Sequence, residues 1–349
     1  MRIRIITIHG IPNFGSVFQS YALCKYLQDQ GYADTEVINY NPKYFKPRTV
    51  RSKIGKILNY RSYVIRSKKF REFNRANMSL TQQSFDSLEQ LEKHDFGADV
   101  YIAGGDQLWN VYHDCGKDDA YKLTFVSGRK ISYATSMGQT NFTSKQLTDL
   151  VKRIKEFSAV SVRESSSVQL LKDAGISAVH CVDPVFLLDS AEYEKFIKPI
   201  NQPRYLLVYL VTPSELLERC INYLSHKYNL KVILCSGFSK KCTCNEFLKD
   251  LGPDEILSYI KNAAIVLSSS FHATCFSMIF NKQFFTILPD KHTNERIVDI
   301  LKIRGLENRI IKEQSDIRQA LDIEIDYNAI PDYSNRISES KEYLQRALE

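Results

Sequence analysis

Short apolar runs alternate with stretches of helical period from one end of this chain to the other, and that alternation restricts the fold more than any other feature. A strand followed by an amphipathic helix and then another strand crosses over into a parallel sheet, with strands that read as continuous apolar runs because both faces are covered. In the first half the strand candidates are residues 2–8, 35–39, 98–103, 130–134 and 158–162, with helices over 16–30, 51–76, 143–156 and 164–173. In the second half YLLVYLV at 205–211, KVILC at 231–235, AAIVLS at 263–268 and FFTIL at 284–288 repeat the theme. The pattern predicts an α/β chain of two Rossmann-like doubly wound domains.

A length of 349 residues exceeds what one hydrophobic core usually serves, which agrees with two domains. The boundary is placed after Asp183-Pro184, giving a first domain over 1–185, a second over 186–330 and a terminal helix over 331–349 that packs back across the junction. A hydrophobic fraction of 44% with 25% charged residues describes a folded protein and excludes a disordered or fibrous one. The opening MRIRIITIHG reads as a first strand rather than a leader, because Arg2 and Arg4 interrupt it. No run approaches the roughly 18 apolar residues of a spanning helix. A cytoplasmic location is expected. The eight cysteines are scattered, several within apolar runs, and Cys242 and Cys244 have no second ligand pair nearby, so buried thiols and no metal are expected.

The net charge of +7 is local. Between Lys43 and Arg75 stand twelve basic residues and the single acid Glu72, so this segment carries +11 and the remainder of the chain −4. Residues 51–76 interleave Ile54, Ile57, Leu58, Val64, Ile65, Phe70 and Phe73 with those cations. Such a helix suits the anionic inner face of a cell membrane, and equally a solvated basic cap on the first domain.

In open α/β sheets ligands bind beyond the carboxyl ends of the strands, where loop amides and helix N-termini converge. A small anionic substrate is therefore expected in the cleft between the domains, and the informative residues in the loops after strands. The first such loop is His9-Gly10-Ile11-Pro12-Asn13-Phe14-Gly15-Ser16, with Asn13 or Ser16 as helix cap and Gly15 as a flexible point. It lacks the G-x-G-x-x-G spacing of a dinucleotide site. The loop after 98–103 gathers Gly105, Asp106, Gln107, the only tryptophan Trp109, and Asn110, a set suited to sugar hydroxyls and an apolar sugar face, or to a glycine turn with Trp109 in the core. Arg163 and Glu164 end the strand at 158–162, where the arginine suits either anion capture or an ion pair between loops. In the second half Ser268-Ser269-Ser270-Phe271-His272 opens an apolar helix, so that His272 meets free amides and hydroxyls. Lys291-His292-Thr293-Asn294-Glu295-Arg296 opens another, from which Arg296 is the candidate for reaching the site.

Taken in order, NFGSVFQSYAL at 13–23, GGDQLWN at 104–110, SYATSMG at 132–138, SVRE at 161–164, DPVFLL at 183–188 and SSFHATCFSMIF at 269–280 resemble the polysaccharide pyruvyl transferase family over nearly the whole chain. The resemblance implies a glycosyltransferase-B-like fold, phosphoenolpyruvate as donor co-substrate with no further cofactor, and a sugar of a surface polysaccharide or its lipid-pyrophosphate-linked precursor as acceptor. Two acceptor hydroxyls would be bridged by pyruvate as a cyclic ketal. It implies that Arg163 and His272 contact phosphoenolpyruvate, with His272 as phosphate ligand and general acid, and that Asp106 or Glu164 is the base. Asn13, Gly15, Ser16, Gly105, Gln107, Trp109, Ser270 and Arg296 would complete the substrate contacts. Many members carry a basic residue and a glycine where this chain has Ser270 and Ala273, and Arg296 or Lys282 is the candidate for the missing cation. Two other readings stand beside this one. A nucleotide-sugar glycosyltransferase would use the same helix N-termini. A non-catalytic nucleic-acid binder would use the basic segment, but no aromatic-basic RNA signature supports it, and no nucleic-acid partner is expected.

Overall fold

The structure is a computed structural model describing residues 1–45, 60–209, 212–235, 240–288, 295–313 and 316–349. It divides into two compact units, one drawn from 1–49, 71–188 and 333–349 and the other from 50–70 and 189–332.

The strands of the first unit are β1 (Ile3–Ile6), β2 (Thr35–Tyr40), β3 (Leu80–Phe85), β4 (Val100–Gly104) and β5 (Arg129–Tyr133), followed by the short pair β6 (Ser161–Val162) and β7 (Val179–His180). The first five form one sheet in the order β3-β2-β1-β4-β5, and every pairing is parallel. Single bridges from Ile131 to Ala159 and from Thr135 to Val162 carry the segment before and through β6 alongside β5. β1 and β4 are buried along their whole length, which is why both read as mainly apolar runs, and the one charge in β1, Arg4, is paired with Asp34 and Glu36. β3, LTQQSF, is exposed over three central residues and lies at the sheet edge, so its sequence carries no apolar run.

The second unit contains β8 (Tyr205–Tyr209), β9 (Lys231–Cys235), β10 (Glu246–Leu248), β11 (Ile265–Ser268), β12 (Gln283–Ile287) and β13 (Ile310–Ile311). They form a parallel sheet in the order β10-β9-β8-β11-β12-β13. Both sheets reverse direction of winding once, between β1 and β4 in the first and between β8 and β11 in the second. These are the topological switch points, where neighbouring crossovers leave a crevice at the carboxyl edge. The fold is thus α/β with two Rossmann-like units.

Around the first sheet Ile6, Tyr101, Trp109, Ile154 and Phe157 belong to one apolar cluster, and around the second Leu206, Val208, Leu224, Leu234, Leu267 and Phe285 belong to another. The terminal helix Ser334–Leu348 belongs to the first unit, where Tyr343 donates to the Ser132 carbonyl at 2.8 Å and Ser340 accepts from the Val182 amide at 3.0 Å. The described part of the basic segment is mostly the helix Tyr60–Asn77. Residues 46–59, with Ile54, Ile57 and Leu58, lie outside the described residues. Phe70 and Phe73 are buried, and the Lys69 ammonium pairs with Glu255 at 2.7 Å, so this helix uses apolar and basic groups in packing. Arg61, Lys68, Arg71 and Arg75 stay exposed. No described helix is long and apolar enough to cross a membrane. Seven of the eight cysteines are buried, and Cys244 is half-buried.

Candidate functional site

At the first switch point the chain leaves β1 through Thr7 and His9 and enters the helix Phe14–Asp29. Asn13 is the cap: its side-chain oxygen accepts from the Gly15 amide at 3.0 Å. Ser16 lies inside the first turn, and its hydroxyl donates to Asp106 Oδ2 at 2.6 Å, tying the helix to the loop after β4. Asp106 Oδ1 accepts from the Gln107 amide at 2.7 Å. Gln107 in turn accepts from the Asn110 amide side chain at 2.8 Å. Gly105 has φ +83°, and a Cβ placed there would stand 1.7 Å from Gln19 Oε1, so only glycine allows the helix to approach the strand end this closely.

Three residues expected to meet substrate are placed otherwise. Trp109 is fully buried, with its indole N–H donating to the Tyr121 carbonyl at 3.1 Å and its ring edge-to-face with Phe157 at 5.9 Å, so it is a core residue rather than a sugar platform. Glu164 is fully buried too. It accepts from the Ser136 hydroxyl and from the Met137 amide at 3.2 Å, which holds the loop after β5 and leaves no route to an acceptor hydroxyl. Arg163, also buried, donates from Nη1 to Asp183 Oδ2 and to the Gly105 carbonyl at 3.1 Å. Burial opposes the guanidinium charge, yet Asp183, Glu164 and Asp106 outweigh it and raise its pKa. The ion pair between loops, rather than an open anion clamp, is the arrangement present.

In the second unit Ser268 donates to the Tyr209 carbonyl at 2.8 Å and accepts from the Ser270 amide at 2.9 Å, bracing the turn at the second switch point. Ser270 caps the helix Phe271–Ile279 by accepting from the Ala273 amide, so its hydroxyl is committed to the cap. His272 occupies the first turn of that helix and is largely buried beside the Phe271 ring, at 5.1 Å between centroids. The Arg296 guanidinium lies over the other partner of this contact, 5.5 Å from the centre of the Phe271 ring. A cation is therefore delivered next to the histidine by the helix Glu295–Ile303, while Lys291 and His292 lie outside the described residues. Lys282 precedes β12 and so stands at the amino edge of the sheet, the wrong end to replace a cation near His272.

The sequence reading missed two groups. Arg66 stands close enough to Tyr209 and Cys235, at the carboxyl ends of β8 and β9, to oppose the effect of burial, which raises the Tyr209 hydroxyl and pushes the Cys235 thiol up to about 12. It was hidden within the run of basic residues. His9, whose carbonyl accepts from the Asn74 side chain at 3.0 Å, was hidden because nothing in its spacing distinguishes it from a turn residue.

The family model for polysaccharide pyruvyl transferases matches residues 13–291. The chain belongs to this family. The match takes in the helix Phe14–Asp29, the Ser16–Asp106 contact, the second switch point and the helix bearing His272. No curated protein sequence matches the chain. Among solved structures, the UDP-GlcNAc 2-epimerase of Methanocaldococcus jannaschii is similar with a TM-score of 0.59 at 13% identity, over 99% of this chain and 100% of that one. The UDP-N-acetylglucosamine 2-epimerase of Rickettsia bellii gives 0.56 at 14%, over 99% and 95%. At such identities these likenesses speak for the fold alone, and they agree with a glycosyltransferase-B-like pair of Rossmann-like units in this pyruvyl transferase family member.

Proposed function

We propose that this member of the polysaccharide pyruvyl transferase family moves the pyruvyl group of phosphoenolpyruvate onto two hydroxyls of a saccharide, forming a cyclic ketal and releasing phosphate. The observation that carries the reading is the family match together with His272 in the first turn of its helix, with Arg296 one ring away. A helix N-terminus and adjacent cations favour a phosphate and a carboxylate.

In this reading His272 binds a phosphate oxygen and delivers a proton to the methylene carbon, so that positive charge develops on the central carbon. One sugar oxygen bonds to that carbon, the carbon–oxygen bond to phosphate breaks, and the second oxygen closes the ketal. Of the two hydroxyl protons, one replaces the proton given to the methyl group and the other leaves with hydrogen phosphate. Arg296 balances the donor's charge. With Glu164 enclosed, Asp106 is the carboxylate left for a hydroxyl proton, and Ser16 orients it. No cofactor beyond the co-substrate takes part. A lipid-pyrophosphate-linked acceptor, with the exposed cations of helix Tyr60–Asn77 against an anionic membrane at the cytoplasmic face, belongs to the same reading.

Titration calorimetry tests the donor. Phosphoenolpyruvate is expected to bind, and His272→Ala to weaken it roughly ten- to hundredfold, the value of one charge-assisted hydrogen bond. Binding of UDP-GlcNAc with none of phosphoenolpyruvate would favour a nucleotide-sugar enzyme instead.

A further inference from the structure

Beyond the carboxyl ends of β2, β3 and β4 the first unit has an open cleft of about 430 Å³. β2 ends at Tyr40 and leads into Lys43 and Tyr44, β3 ends at Phe85 and leads into Asp86, and the loop after β4 supplies Asp114, Lys117 and Asp118. In the sheet order β3-β2-β1-β4 the first two strands lie next to β1. Neighbouring strands are spaced by roughly 4.8 Å, so the cleft opens about one to two strand spacings from the switch point where Ser16 donates to Asp106. This is the edge of a parallel sheet at which ligands bind.

Tyr40 is buried and Tyr44 half-buried, and their hydroxyls donate to Asp118 Oδ2 at 2.7 and 2.8 Å, while Asp118 Oδ1 accepts from the Ala120 amide at 3.0 Å. The buried Tyr121 ring braces Tyr40 edge-to-face at 5.7 Å. Burial, with the Asp118 charge beside them, raises the pKa of both hydroxyls, so they stay protonated and this wall keeps its shape. Asp118 is committed to the wall. The Asp86 side chain, about a third exposed, faces Lys43 at 3.4 Å, and Asp114 and Lys117 are exposed. Two accessible carboxylates that accept hydrogen bonds and two ammoniums that donate them, beside the Tyr44 ring, suit a neutral molecule rich in hydroxyls. A phosphate would bring its charge next to Asp86, Asp114 and Asp118, and among the described residues no cluster suits a metal ion.

We propose that this cleft holds a sugar unit of the acceptor saccharide, next to the unit whose hydroxyl meets Asp106. Sugar hydroxyls donate to Asp86 and Asp114, Lys117 donates to a sugar oxygen, and the Tyr44 ring packs against C–H groups. The inference rests on the pyruvyl transferase reading for its choice of a saccharide, and it adds the residues that read the chain beyond the reacting unit.

The full chain labelled with 13C at the tyrosine ζ carbon provides the test, with Tyr44 identified by the signal lost in Tyr44→Phe. Methyl β-D-galactopyranoside, methyl β-D-glucopyranoside and methyl α-D-mannopyranoside are added separately, and at least one is expected to shift the Tyr44 signal. Inorganic phosphate and UDP are expected to leave it in place. Asp86→Asn and Asp114→Asn, on separate loops with solvent-accessible side chains, should each weaken the bound glycoside about tenfold, the value of one hydrogen bond to a charged group. No shift with any glycoside, a shift of the same size with phosphate or UDP, or undiminished affinity in either variant overturns the proposal. Phosphate release after phosphoenolpyruvate is added to the same samples is read separately. A Tyr44 shift without release keeps this subsite and counts against transfer, whereas release with Tyr44 unmoved keeps transfer and overturns this subsite.

Discussion

Burial lowers the pKa of His9 from 6.5, against the opposing effects of the Thr7 carbonyl and the Asn39 side chain, so the folded protein holds this imidazole neutral. Above pH 6.5 the group is neutral whether the chain is folded or not, and its contribution to stability is complete. As the pH falls below 6.5 the unfolded chain takes up the proton first, and stability is lost until the lowered folded value is reached. Urea midpoints measured from about pH 7.5 to 5 should therefore decline less steeply in His9→Asn than in the parent chain, and an equal slope would contradict the burial argument. Individual roles were the least legible level of the sequence. The motif at 161–164 announces an arginine and a glutamate at a strand end, but only the structure shows that Asp183, twenty positions on, neutralises the arginine and that Ser136 and Met137 enclose the glutamate. Trp109 was equally ambiguous, because it follows the polar loop Gly104–Gln107 in sequence while in space it packs with Tyr121 and Phe157.

Elements were legible where both faces of a strand are covered. The central strands β1, β4, β8, β9 and β11 all coincide with mainly apolar runs, because burial on both sides leaves few polar positions, among them Arg4, Lys231 and Ser268. The edge strands β3, β10 and β13 were not anticipated: one is polar in its middle and the others span three residues and two. What joins the elements of the first unit is the set of loop contacts around Arg163. Asp183→Asn keeps the shape of that junction but leaves the guanidinium without its nearest counter-charge, and breaking a buried pair this way costs about 3 kcal/mol. The chain's single tryptophan lies in this unit, so urea unfolding followed by Trp109 fluorescence reports it directly. A variant as stable as the parent would mean that the pair does not hold the loops, and would return Arg163 to consideration as an anion ligand.

At the scale of the whole molecule each of the two large sheets is parallel and has one switch point, and the family match extends over strands of both. The six motifs read in order from the sequence gather at the carboxyl edges of the two sheets and in the loops that brace them, which explains why an ordered set is more informative than any one of them. In the proposed transfer the donor is assigned to His272 and Arg296, and the hydroxyl proton to Asp106. The decisive measurement is group transfer itself. Phosphoenolpyruvate labelled with 13C at the methylene carbon is incubated with the full chain and a panel of nucleotide- and lipid-linked saccharides, and products are followed by carbon NMR and phosphate release. The account predicts that the methylene signal becomes the methyl signal of a saccharide ketal, with one phosphate released per ketal formed and neither product from His272→Ala. Consumption of a nucleotide sugar while labelled phosphoenolpyruvate stays intact would contradict it.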